Sequence, residues 1–113
     1  MQLFVYITNK PEHMPKILSG LIDEGISEGT VLDCTGMLPS LKGSEEEPSI
    51  FGSLREYLNP DYESGKMLMI LMKDEDVQNA KSVLHRVVGD LKLPNTGILF
   101  TIPVMNWEGV SHK

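Results

Sequence analysis

Cysteine occurs once in this chain, at Cys34, so no disulfide can close within it. A lone thiol fits a reducing compartment better than an oxidising one. Arginine is nearly as scarce, with Arg55 and Arg86 alone. Acidic residues outnumber basic ones, 16 against 10, for a formal net charge of −6. A chain of that sign lacks the basic stripe that a phosphate backbone requires, so nucleic acid is not an expected partner, and anionic membrane surfaces are disfavoured. Long apolar runs are missing too. The longest, Met67–Met72, falls far short of the roughly 20 residues of a spanning helix, so no membrane insertion is expected. No leader is expected, since the first apolar run reads as a strand. Together these absences read as a cytoplasmic protein.

What is present is enough apolar material, 41% of 113 residues, for one core in a single domain over residues 1–113. A strand–helix–strand pattern is written twice. The first copy has Leu3–Ile7, a helix from about Pro11 to Glu24, and Thr30–Cys34. The second has Met67–Leu71, a helix from about Glu75 to Val88 with Asp74 as its expected N-cap, and Ile98–Ile102. Apolar stripes fall at Met14, Ile17, Leu18, Leu21 and Ile22, and at Val77, Ala80, Leu84, Val87 and Val88. Gly25 and Gly89 stand where left-handed caps belong. A doubled βαβ predicts an α+β, ferredoxin-like βαββαβ sandwich.

Leu3–Ile7 and Met67–Met72 do not alternate apolar with polar residues, as a sheet with one wet face would. Two helices cover one face of a four-stranded sheet. The other face therefore needs cover from another chain, or from the 36–64 segment folded back over it. That segment, the long loop 37–64 in particular, is too long for an idle connection. Leu38–Ser49 is rich in Pro, Gly, Ser and Glu, a composition of mobile chain. Ile50, Leu54, Tyr57 and Leu58 have the spacing of a short amphipathic helix over 50–58.

Little in the chain points to catalysis. Cys34 has no histidine near it in sequence and reads as structural or ligand-lining. His13, His85 and His112 have no metal-ligand spacing. Glu45-Glu46-Glu47 reads as a solvated loop. The chain is expected not to be an enzyme.

Lys10-Pro11 opens the first helix, and Gly25-Ile26 leads through Gly29-Thr30-Val31 into the second strand. Gly36 begins the long loop, Asp74-Glu75-Asp76-Val77 opens the second helix, and Asn95-Thr96-Gly97-Ile98-Leu99-Phe100 leads into the last strand. In this ordered set the chain resembles the PII (nitrogen regulatory protein P-II) family of signal-transduction proteins over nearly its whole length. The resemblance implies a homotrimer that binds a small-molecule effector in clefts between subunits. It places residues 37–64 where the family has its T-loop, the arm that touches a partner protein, and Asn95–Gly97 where a loop cradles nucleotide phosphates. The implied ligand-binding set is Thr30, Thr35, Gly36 and Met37 from one chain and Asn95, Thr96, Gly97 and Ile98 from its neighbour, with Lys66 or Arg55 supplying charge. Several family features differ here. Ile98 replaces a phosphate-pairing lysine, Pro39-Ser40 stands where an Arg-Gln pair is usual, and Trp107-Glu108-Gly109 occupies a stretch that usually carries arginines. Gly36 and Gly97 permit close approach of backbone amides to an anion, so the effector is expected to be anionic; an adenine nucleotide is one candidate, with the family's phosphate-binding Lys and Arg largely absent. The alternative is a divalent-metal-binding trimer resembling the divalent-cation-tolerance family.

Overall fold

The structure is a computed structural model, and it describes residues 1–41, 45–46, 65–94 and 96–110. It is a mixed α+β fold with a four-stranded antiparallel sheet and, among the described residues, three helices. In chain order these are β1 (Gln2–Thr8), α1 (Met14–Asp23), β2 (Thr30–Cys34), α2 (Met37–Leu41), β3 (Gly65–Met72), α3 (Val77–Val88) and β4 (Ile98–Pro103). The strands lie in the order β2-β3-β1-β4. The helix expected over 50–58 lies outside the described residues.

Both long helices start later than their sequence pattern does, because each is preceded by a 3-10 turn, Pro11–His13 and Asp74–Asp76. Asp74 is therefore not the N-cap of α3. Its carboxylate instead pairs with the Met1 amino group at 3.2 Å, and hydrogen bonds from that group and from Gln2 hold it below the usual carboxylate range. At the other ends, Gly25 and Gly89 both adopt positive φ, and their N–H groups close the last turns onto Ile22 and His85. The α2 turn was not expected from a Pro- and Ser-containing stretch. The Ser40 N–H and Oγ–H both donate to the Gly36 carbonyl, at 3.1 and 2.6 Å.

The core lies between one sheet face and the two long helices. Phe4, Tyr6, Leu68, Ile70 and Met72 come from β1 and β3, Met14, Ile17 and Leu21 from α1, and Val77, Ala80, Val83 and Leu84 from α3. Fully burying one such side chain stabilises the fold by about 1.5–3 kcal/mol. The expected stripes need two corrections. Ile22 points away and is 59% exposed, since positions 14, 17 and 21 already complete the buried edge of α1. Val83 belongs to the core, three positions from Ala80 and so on the same helix face. Gly20 lets the helices approach: a Cβ there would lie 2.7 Å from Val83 Cγ1.

The register decides what the other face carries. Leu3 lies opposite Leu71 and Ile102, Val5 opposite Met69 and Phe100, and Ile7 opposite Met67 and Ile98, while Leu32 lies opposite Met67. Directly opposed residues share a face. One face therefore holds ten apolar side chains on four strands, and neither α1 nor α3 packs on it. At its centre Val5 is only 4% exposed, screened by its neighbours, whereas Ile98 at the β4 edge is 62% exposed. With strands about 4.8 Å apart and about 3.3 Å per residue, this face measures roughly 19 by 20 Å. A patch of that size sits at the scale at which exposed apolar surface marks an interaction site.

Candidate functional site

The sheet brings most of the expected site residues to one of its ends. Asp33, Lys66 and Thr8 are opposed across β2, β3 and β1, and Gly97 continues the row one residue before the Ile98–Ile7 pairing. Thr35, Gly36 and Met37 follow β2 at this end, and Thr96 and Gly97 precede β4 at the same end. The two groups sit on opposite edges, three strand spacings or roughly 14 Å apart. Thr30 does not join them: it faces Met69 at the far end of β2, about 13 Å along the strand from Cys34. Arg55 and Asn95 lie outside the described residues.

Each group has local work that the sequence did not reveal. The Lys66 ammonium is paired with Asp33 Oδ1 across the β2–β3 ladder, so its charge is already engaged within the chain. Thr96 is used twice: its Oγ–H donates to the Leu93 carbonyl at 2.8 Å, and its own carbonyl accepts the Tyr6 hydroxyl at 2.5 Å. Tyr6 is fully buried. Burial pushes its phenol up from 10.0, with a hydrogen bond involving Thr8 opposing. Gly97 has φ +106°, and a Cβ there would meet the Ile7 carbonyl oxygen at 2.6 Å, Tyr6 Cε1 at 2.7 Å and Tyr6 Oη at 2.8 Å. Packing alone therefore requires glycine at 97. Gly36 differs: a Cβ would meet only Pro39, at 3.6 Å and beyond. Met37 is 86% exposed, and Ile98 stands on the open apolar face.

Two features were missed at the sequence level. A groove of about 400 Å³ runs outside β4, lined by Lys81, His85, Leu91 and the 97–101 strand segment. Lys81 and His85 are four apart on α3 and so on one helix face, a signal visible in the sequence whose neighbour was not. A second cavity, of about 170 Å³, lies at the opposite end of the sheet, between Ile26, Glu28, Met72 and Val110. Among the described residues, no group of three His, Cys, Asp or Glu side chains is placed to hold a metal ion, and no helix is long and apolar enough to cross a membrane. Compared with known proteins, the sequence matches no family model and no curated protein.

Proposed function

We propose that this chain is a PII-like, non-enzymatic regulatory protein of the cytoplasm. In this reading it has a ferredoxin-like fold, assembles as a homotrimer and binds a small anionic effector between chains. One observation carries the reading. Thr35–Met37 and Thr96–Gly97 lie at the same end of the sheet but on opposite edges, too far apart to enclose one small ligand. A second chain placed alongside brings the first group of one copy next to the second group of the other, and the apolar face that α1 and α3 leave uncovered supplies the reason for a second chain to be there.

The effector would then meet the backbone around Gly36, the Thr35 hydroxyl and the 96–97 backbone. Binding would favour one arrangement of the loop 37–64, by no more than the effector's difference in affinity between the loop states, and the loop would engage or release a partner protein. Lys66 contributes charge only if an anion competes with Asp33, so a strongly polyanionic ligand such as an adenine nucleotide draws less from this cleft than from one rich in arginine.

The test is a melting-temperature screen of adenine nucleotides, 2-oxoglutarate, bicarbonate and divalent metals, run on the wild-type chain and on Gly36→Asp. A ligand at about a hundred times its Kd adds about 2.7 kcal/mol, which in a domain of this size raises the midpoint by roughly 10 °C. A Cβ at Gly36 makes only ordinary contact with Pro39 among the described residues, so Gly36→Asp should keep the unliganded midpoint and lose the shift with anions. Binding left unchanged by Gly36→Asp would place the effector elsewhere.

A further inference from the structure

We infer that Tyr6 is a positioning residue for the proposed cleft: by holding the Thr96 carbonyl, its buried hydroxyl turns the Gly97 N–H outward as a preset donor for the effector's anionic group. This rests on the effector reading above and names the side chain that shapes the cleft on its 96–97 side.

The core is otherwise apolar. Among the described residues, its only buried hydroxyls are those of Tyr6 and Thr8, two apart on β1 and so on one face of the sheet. Phe4, on the same face, is equally buried and brings no polar atom. Burial of a ring on this face therefore does not demand a hydroxyl at position 6, and burying one costs free energy unless it finds a partner. Both hydroxyls find theirs at the end of the sheet where the candidate cleft lies. The Thr8 oxygen accepts the Lys10 N–H at 2.9 Å. A hydrogen bond joins Thr8 to Tyr6, and the Tyr6 hydroxyl donates to the Thr96 carbonyl at 2.5 Å. Linked bonds of this kind strengthen one another and hold their members in one arrangement.

The peptide unit carries that arrangement outward. The Thr96–Gly97 bond is trans, so its C=O and N–H lie in one plane and point in opposite directions. With the carbonyl aimed at Tyr6, the N–H is aimed away from it. Among the described residues that N–H has no partner. Two further contacts hold the peptide. The Thr96 Oγ–H donates to the Leu93 carbonyl at 2.8 Å. Gly97 sits so close to the ring that a Cβ there would meet Tyr6 Cε1 at 2.7 Å. A donor fixed before the ligand arrives needs no ordering on binding, which is the gain of preorganisation. Ile98 brings no charge to this side of the cleft, so a backbone N–H is what it can offer a carboxylate or phosphoryl oxygen.

The test follows the Gly97 amide by NMR in the isotope-labelled full chain, titrated with inorganic phosphate, pyrophosphate and 2-oxoglutarate. Wild type is compared with Tyr6→Phe and with Val83→Ala, a core truncation beside Gly20 of α1 that lowers stability but keeps the Tyr6 hydroxyl. In the unliganded wild type the Gly97 amide should exchange rapidly with water. With at least one of the anions it should move, with a Kd unchanged in Val83→Ala and weaker by about tenfold or more in Tyr6→Phe. A Gly97 amide protected from exchange in the unliganded wild type would show the N–H turned inward and overturn the inference without any variant. Unweakened binding in Tyr6→Phe would overturn it and leave the cleft standing. Equal weakening in both variants would also overturn it, because lost stability would then explain both. A wild-type Gly97 amide indifferent to all three anions would refute the effector reading at this loop, and the positioning role with it.

Discussion

Replacing Gly97 by alanine separates the structural demand at that position from any part in binding. The methyl group must occupy a backbone conformation at φ +106° that costs a non-glycine residue about 1–3 kcal/mol. Its Cβ would also stand 2.6 Å from the Ile7 carbonyl oxygen and within 2.8 Å of the Tyr6 ring and hydroxyl. Neither neighbour is the free end of a flexible side chain. Tyr6 is fully buried and tied to the Thr96 carbonyl, and Ile7 belongs to the central strand β1. The loop must move, and losing the Tyr6–Thr96 bond in a buried setting adds about 1–3 kcal/mol. The sum, about 2–6 kcal/mol, is a large share of the 5–15 kcal/mol that holds a typical domain folded. Urea unfolding followed by far-ultraviolet circular dichroism should show a midpoint lowered in proportion, with the slope unchanged. Gly36→Ala is the comparison: its Cβ meets only Pro39, in ordinary contact, and its stability should stay within about 0.5 kcal/mol of wild type. A loss below about 1 kcal/mol for Gly97→Ala would refute the packing argument.

Two further outcomes follow from the same geometry. Tyr6 has its ionisation raised by burial. The folded state therefore holds the phenolic proton more tightly than the unfolded one, a contribution fully present below pH 10 and lost as pH climbs above it. Ultraviolet titration should find one tyrosine ionising late, and Tyr6→Phe should flatten the alkaline fall in stability. On the open face, Phe100→Glu should leave the helical circular dichroism intact and raise the dissociation constant of the assembly by at least about a hundredfold, since burying an unpaired charge costs several kcal/mol; an unchanged constant would remove this face from the interface.

The parts of the fold legible in the sequence are those set by short periods. Met67–Met72 cannot alternate, so β3 had to be apolar on both faces, and the register bears this out through Met67, Met69 and Leu71. The α1 and α3 stripes were visible for the same reason, apart from Ile22 and Val83. Features that depend on partners far along the chain were not. Gly97 looked like a turn or a ligand cradle because its constraint comes from Tyr6, whose hydroxyl bonds Thr96 across 90 positions of sequence. Lys66 looked like a free cation because its partner Asp33 arrives through the β2–β3 register. Thr30 was grouped with Gly36 through the family resemblance, and within one chain the extended strand β2 sets the two at opposite ends of the sheet. Lys81 and His85 showed their spacing but not the β4 edge beside them, which only the strand order supplies.

The account turns on the bare sheet face being covered by copies of the chain, and the native mass in solution tests that most directly. Sedimentation equilibrium of the wild-type protein at micromolar concentration should give three times the 12.6 kDa of one chain. A stable 12.6 kDa species under those conditions would contradict it, because neither the cleft nor the cover for the apolar face would exist.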